Sequence, residues 1–199
     1  MKRYIFFIII LICFVFLSSC RDNTIKNIST EIELDEENGG GTGILANNSA
    51  VDFYFYYPEN FFIQRNDAMI VVYINDDTVQ QTEKDEPVMT KTNLSATVFG
   101  LQSDTFETVE EFWNGFALPS YKEMFQDIEV LSEEDLTVDE MPAKKYTYTA
   151  SLSGMKFKFS QVVFFRKQKV YSLLYTATEN KYDNNINVLK TAAETFKFK

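Results

Sequence analysis

Aromatic side chains are distributed very unevenly along this chain of 199 residues. A few lie in the first 16 residues, none lies in residues 17–50, and all the others lie in residues 51–199. Aromatic residues supply much of the apolar area that a protein core buries, so only residues 51–199 can build a substantial core. The length fits one domain better than two. We therefore predict one folded body over residues 51–199.

The N-terminus has the layout of a secretory signal. Residues 1–3 (MKR) are a basic head, and an apolar run of 14 residues follows from Tyr4 to Leu17. A membrane-spanning helix needs about 20 apolar residues, so residues 1–19 are interpreted as a signal peptide that is cleaved. Leu17-Ser18-Ser19-Cys20 resembles the lipobox of bacterial lipoproteins, which implies acyl chains such as palmitate on Cys20. The alternative is an ordinary signal peptide that happens to end at a cysteine.

The composition of residues 20–50 predicts a tether between the lipid and the body. The segment after Cys20 has six acidic and two basic residues and four of the seven glycines of the chain. Such a composition does not bury enough apolar area to fold, which favours a flexible coil. The alternative is that the isoleucines and leucine at 25, 28, 32 and 34 dock onto the body. Loss of residues 1–19 removes two bases and changes the net charge from −10 to −12, so an anionic membrane does not attract the body.

Three runs of β-favouring residues indicate strands in the first half of the body. The runs are residues 53–57, 69–74 and 93–101. Residues 108–111 (TVEE) then match a capping box, which predicts the start of a helix at Thr108. Gly115 and Pro119 predict that the helix is broken before it ends near Phe125.

The second half predicts antiparallel strands from residue 128 onward. Charged clusters at 133–135, 139–140 and 166–169 indicate turns between them. Phe157 and Phe159 alternate with Lys156 and Lys158, so one face of that strand is apolar and the other is wet. In residues 182–196 apolar side chains recur at spacings of four and three, which indicates a helix. The predicted fold class is α+β, a mostly antiparallel sheet with helices on both faces.

Five segments resemble the PsbP-like family. They are residues 53–61 (FYFYYPENF), 108–116 (TVEEFWNGF), 141–150 (MPAKKYTYTA), 169–183 (KVYSLLYTATENKYD) and 192–198 (AAETFKF). The resemblance implies an antiparallel sheet sandwiched between helices (α/β/α). It also implies a role in binding, because the better-understood members of the family act by binding and the family includes many bacterial lipoproteins.

Several kinds of chemistry are excluded by residue content. The chain has no histidine, which removes His-based triads and the usual zinc ligand. Its two cysteines, Cys13 and Cys20, both precede the body. The net charge of −10 disfavours binding to nucleic acid. We predict a non-enzyme with no cofactor and no metal, in which the acidic clusters are solvated turns. The alternative for those clusters is binding of a hard cation such as calcium.

Positive charge is concentrated in residues 143–178, which contain no acidic residue. The candidate patch for an anionic partner consists of Lys144, Lys145, Lys156, Lys158, Arg166, Lys167 and Lys169. The other interpretation is that these side chains only keep a strand edge soluble and protect it from pairing with other chains.

The sequence predicts a lipid-anchored protein on the extracytoplasmic face of a bacterial membrane, with a Gram-positive cell surface favoured. Its partners are the membrane, through the lipid on Cys20, and an envelope protein or polymer. One alternative is a carboxylate-dependent envelope hydrolase, which requires two facing buried carboxylates in a cleft. Another is a small-ligand-binding lipoprotein, which requires an apolar pocket between sheet and helix.

Overall fold

Two antiparallel sheets dominate the structure. The computed structural model describes residues 29–38, 40–66, 69–74, 92–101, 106–125, 127–152 and 154–199. The strands in this part of the chain are β1 (Glu31–Glu33), β2 (Thr42–Asn47), β3 (Phe53–Pro58), β4 (Phe61–Asn66), β5 (Met69–Ile74), β6 (Asn93–Gly100), β7 (Glu129–Val138), β8 (Met141–Leu152), β9 (Met155–Arg166), β10 (Lys169–Thr178) and β11 (Lys197–Phe198). The larger sheet has the order β4-β5-β6-β10-β9-β8-β7, and the smaller has the order β1-β2-β3-β11.

The helical segments are short. They are a 3-10 turn (Glu36–Asn38), α1 (Val109–Phe112), a π-helix (Trp113–Ala117), α2 (Leu118–Met124), a second 3-10 turn (Glu179–Lys181), α3 (Tyr182–Asn185) and α4 (Asn187–Thr195). We refer to α1, the π-helix and α2 together, residues 109–124, as the helical arm. Among the described residues no helix is both long and apolar enough to cross a bilayer.

Alternation along the central strands gives the larger sheet two apolar faces, as predicted for residues 162–165. On β9, Val163 faces the helical arm, whereas Val162 and Phe164 face the other way. The second face packs with β2, β3 and α4 in one core cluster. The predicted apolar positions Phe157 and Phe159 are buried on the arm side.

The sheets are antiparallel and the helices few, but the fold is more sheet-dominated than the predicted α/β/α sandwich. The predicted helix over 182–196 is present as α3 and α4. However, the smaller sheet shares the core on that side, because β2 and β3 contribute Ala46, Phe53 and Phe55. The aromatic residues that predicted a large core are therefore divided between two sheets.

The predicted tether is wrong for residues 29–47. This part of the chain forms β1, the first 3-10 turn and β2, and β2 pairs with β3 from Gly43 to Asn47. Leu34 and Ala46 are buried in spite of the acidic, glycine-rich surroundings. A Cβ at Gly43 would lie 2.8 Å from a side-chain carbon of Ile32, so the glycine allows β1 to lie close against β2. Residues 20–28, with Cys20, lie outside the described residues, as does the predicted signal peptide.

Two local predictions also need correction. Residues 133–135 are not a turn, because β7 continues through them and only Asp139-Glu140 turns the chain toward β8. The arm is not broken at Gly115 and Pro119. The backbone stays helical through the junction, where Leu118 N donates to Trp113 O, and Pro119 lies in the first turn of α2, just after the π-helix.

Candidate functional site

The helical arm begins where the capping box predicts. Thr108 Oγ1 accepts a hydrogen bond from Glu111 N at 3.1 Å. The Glu111 carboxylate reaches back to accept one from Glu107 N at 2.9 Å, one residue before the predicted cap. These contacts satisfy amides that have no partner within the helix. The arm thus starts at a defined point above the larger sheet.

The arm is held to the sheet by aromatic packing. Trp113, which is only 2% exposed, stacks on Tyr146 of β8 with ring centroids 3.8 Å apart. Tyr121 in α2 stacks on Tyr148 at 5.6 Å. Trp113 belongs to the core cluster between the arm and the sheet.

A cavity lies between the second half of the arm and the sheet. Its walls come from β6, β8, β9 and β10 on one side and from residues 112–125 on the other. The space open to the centres of water molecules is about 50 Å³, which is room for a few waters. Phe99, Ser120, Met124 and Leu174 are the half-buried members of the lining, so they mark its mouth.

The floor of the cavity is polar and hydrogen-bonded. Gln161, which is 5% exposed, accepts hydrogen bonds at Oε1 from the hydroxyls of Tyr121 at 3.0 Å and Tyr148 at 3.3 Å. Its Nε2 donates to Ser172 Oγ at 2.9 Å. Buried polar groups are tolerated where they are paired, and this network pairs both ends of the amide.

Two further hydroxyls belong to the same floor. Ser95 and Thr97 on β6 are 7% and 6% exposed and line the cavity. The register places Thr97 opposite Ser172, next to the Gln161 network. Neither hydroxyl makes a hydrogen bond to another described residue. The lining contains no Asp, Glu, Lys or Arg.

The seven predicted cations are not gathered in one patch. Lys156 and Lys158 lie near the start of β9, and Arg166 lies at its end. Ten residues of strand separate Lys156 from Arg166, which corresponds to roughly 33 Å. Lys167 lies in the turn between β9 and β10, Lys169 starts β10, and Lys144 and Lys145 lie on β8.

Four of these cations pair with acidic residues. Lys144 contacts Glu133, Asp135 at 3.1 Å and Glu110 at 3.9 Å, and its hydrogen bonds to the carboxylates of Glu133 and Asp135 raise the pKa of Lys144. The other pairs are Lys145 with Glu134 at 2.8 Å, Lys156 with Glu179 at 3.2 Å and Lys169 with Asp52 at 2.8 Å. Acidic residues outside residues 143–178 thus reduce the positive potential that this stretch suggests on its own.

Two more cations lie over aromatic rings. Lys158 Nζ is 4.2 Å from the centroid of the Tyr182 ring. The Arg166 guanidinium carbon is 3.8 Å from that of Phe198. Such contacts hold the charged groups against the body.

Comparison with solved structures identifies the fold. LpqN, which is involved in cell envelope biogenesis of Mycobacterium tuberculosis, superposes with a TM-score of 0.55 at 10% identity over 73% of this chain and 82% of LpqN. The cyanobacterial PsbP protein CyanoP of Synechocystis superposes with a TM-score of 0.52 at 14% identity over 92% of this chain and 99% of CyanoP. The chain has a PsbP-like fold. The sequence itself matches no protein-family model and no curated protein.

The cavity residues of this PsbP-like body were missed at the sequence level. Ser95, Thr97, Gln161 and Ser172 were read only as members of strands. A signal is available for two of them, because Gln161 and Ser172 interrupt rows of apolar residues on one face of β9 and β10. Ser95 and Thr97 alternate with Leu94 and Ala96 on β6 and give no such signal. Polar residues that replace apolar ones at such positions indicate a buried network or a ligand site.

The acidic clusters show no cation site in the described part of the PsbP-like body. Among the described residues no group of three or more acidic or cysteine side chains is arranged to hold a metal. Glu133, Glu134 and Asp135 instead face lysines of β8. The acidic residues at 76–77 and 85–86 lie outside the described residues.

Proposed function

We propose that this chain is a lipid-anchored accessory protein of a bacterial cell envelope that acts by binding a protein or polymer partner. The observation that carries the proposal is the PsbP-like fold, which the chain shares with LpqN, a protein involved in cell envelope biogenesis. The signal-like N-terminus that ends at Cys20 supports the same location.

A binding role fits the chemistry of the described body better than hydrolysis does. Every Asp and Glu side chain among the described residues is at least partly exposed. The cavity lining also lacks a carboxylate. A carboxylate-dependent hydrolase needs a proton donor whose pKa is raised by burial, close to a second carboxylate. No pair of this kind occurs in the described part of the chain.

The anchor is tested by metabolic labelling with an alkyne analogue of palmitate in a Gram-positive host. The wild-type chain is expected to take up the label and to sediment with membranes. Cys20→Ala should lose the label, whereas Cys13→Ala, which changes the other cysteine of the N-terminal segment, should keep it. Equal labelling of wild type and Cys20→Ala would refute anchoring at Cys20.

The partner is tested separately by crosslinking on living cells followed by mass spectrometry. We expect an envelope protein or polymer that is enriched with the anchored chain and depleted with Cys20→Ala. Charge reversal at Lys158, Arg166 and Lys167, which form no ion pair with a described acidic residue, is expected to reduce recovery of the partner. Unchanged recovery in this triple variant would rule out these three cations as the contact.

The cavity favours a second candidate function, binding of a small ligand between sheet and helix. It has apolar walls, a polar floor and a mouth formed by half-buried residues, which are common features of ligand sites.

A further inference from the structure

We propose that the cavity under the helical arm binds an uncharged small molecule that combines one aromatic ring with one hydrogen-bonding group. The inference rests on the second candidate function and names its ligand class. It depends neither on the lipid nor on the macromolecular partner.

The walls favour a flat apolar group. Phe112, Phe125 and Phe159 line the cavity together with Val163 and Val170. Phe125 and Phe159 lie 5.8 Å apart between ring centroids, with planes tilted by 40°. A further ring placed among these rings can make the tilted and offset contacts that aromatic groups prefer.

The floor supplies hydrogen-bonding groups for one polar substituent. Gln161 already binds Tyr121, Tyr148 and Ser172, so its network is occupied. Ser95 and Thr97 are more than nine-tenths buried, and their hydroxyls have no partner among the described residues. Their place beside the network gives a ligand both donors and acceptors.

The absence of ionisable acidic or basic groups from the lining selects against charge. An ion moved from water into this cavity would lose hydration and gain no opposite charge. Tyr121 and Tyr148 supply no opposite charge either, because their hydroxyls keep their protons and donate them to Gln161.

Binding requires the arm to shift outward. A space of about 50 Å³ for the centres of water molecules is too small for a substituted benzene. The π-helix Trp113–Ala117 divides the arm, and π-helical turns are common at functional sites. Trp113 fixes the first half to Tyr146. The second half carries Ser120 and Met124 at the mouth of the cavity, and its outward shift requires the contacts of Tyr121 with Tyr148 and Gln161 to rearrange.

The test uses the full chain, labelled with methyl-13C methionine and placed in nanodiscs of phosphatidylcholine and phosphatidylglycerol. Met124 lies at the mouth of the cavity, whereas Met141 packs in the core cluster beyond the other face of the sheet. Titration with p-cresol, an uncharged ring with one hydroxyl, is expected to shift the Met124 methyl resonance saturably and to leave Met141 in place. Met124→Leu assigns the resonance.

Charged and apolar analogues test the ligand class without any change to the protein. We expect p-toluate and benzylammonium to leave Met124 unshifted and toluene to bind about fivefold more weakly than p-cresol, because toluene makes no hydrogen bond. If p-toluate binds as well as p-cresol, the uncharged class is wrong and small-ligand binding stands. If none of these molecules shifts Met124, both the ligand class and the second candidate function are refuted.

A pair of matched variants tests whether the Thr97 hydroxyl in the cavity floor binds the ligand. Thr97→Val keeps the side-chain shape, removes the hydroxyl and is expected to weaken p-cresol binding about fivefold. Thr149→Val makes the same change at a buried threonine on the opposite face of the sheet and should leave binding unchanged. Equal affinities of the wild type and Thr97→Val would overturn the role assigned to this hydroxyl.

Discussion

Trp113 and Tyr146 stack with their ring planes only 3° from parallel and their centroids 3.8 Å apart. One ring belongs to the helical arm and the other to β8, so this contact joins the two layers that enclose the cavity. The Tyr146 hydroxyl is buried and has no hydrogen-bond partner among the described residues. Burial raises the pKa of Tyr146 well above that of a tyrosine in water. The ring therefore serves packing, and its hydroxyl stays neutral.

Replacement of Trp113 should destabilise the protein strongly. Trp113→Ala removes a buried ring and its stacking contact with Tyr146, so we expect a loss of about 3–5 kcal/mol in the free energy of unfolding. Phe62→Ala is the control, since Phe62 also stacks on a tyrosine, Tyr73, and is 39% exposed. Urea unfolding of the full chain should show a loss below about 1 kcal/mol for the control. Similar losses in both variants would contradict a central role for the Trp113 contact.

The Gln161 network should behave as a unit. Gln161→Met removes the acceptor shared by the Tyr121 and Tyr148 hydroxyls, and we expect a loss of about 2–4 kcal/mol. When Tyr121→Phe and Tyr148→Phe are added, the two hydroxyls disappear and part of that stability should return. Urea unfolding of the single, double and triple variants gives the coupling energy. Strict additivity of the three changes would contradict the network.

Strands were the most predictable elements, for a local reason. Alternation in residues 155–159 and continuous burial in residues 162–165 are set by neighbours within one strand, and both agree with the structure. The start of the arm was equally predictable, because the Thr108 hydroxyl and the Glu111 amide that it binds are only three residues apart.

Long-range contacts explain what the sequence did not reveal. Composition indicated a tether at residues 29–47, but Leu34 and Ala46 are buried, and Ala46 belongs to the core cluster that β3 shares. The cationic patch was expected from a stretch without acidic residues. Its lysines meet acidic residues of other segments, such as Asp52 opposite Lys169, 117 residues away. Local patterns in the sequence do not show which residues of other segments will pair with these lysines.

The turn between β7 and β8 can be made more stable. Glu140 has a φ angle of 68°, in the left-handed region where residues other than glycine are strained. Glu140→Gly should therefore raise the free energy of unfolding by about 0.5–1 kcal/mol. Thr137→Gly, at an exposed position with extended backbone on β7, should lower it by a similar amount. Thermal unfolding of the two variants checks the sign, and destabilisation by both would contradict strain at Glu140.

Asp139, the other residue of that turn, should make stability depend on pH in the acid range. Partial burial opposes its ionisation, but hydrogen bonds from Lys197 Nζ at 2.7 Å and Phe198 N at 3.0 Å outweigh it and hold the pKa of Asp139 below its ordinary value of 3.8. The carboxylate binds β11 to the turn in this way.

Because the pKa of Asp139 is lower in the folded state than in the unfolded state, its contribution is complete above the unfolded value. It is lost as the pH falls through the folded value. In Asp139→Asn the free energy of unfolding should therefore change less between pH 5 and pH 2 than in the wild type, with the remaining slope coming from groups such as Asp52, whose pKa is also lowered. Urea unfolding at several pH values measures this difference. Parallel pH profiles for the wild type and Asp139→Asn would show that the ionised Asp139 carboxylate does not hold the C-terminal strand.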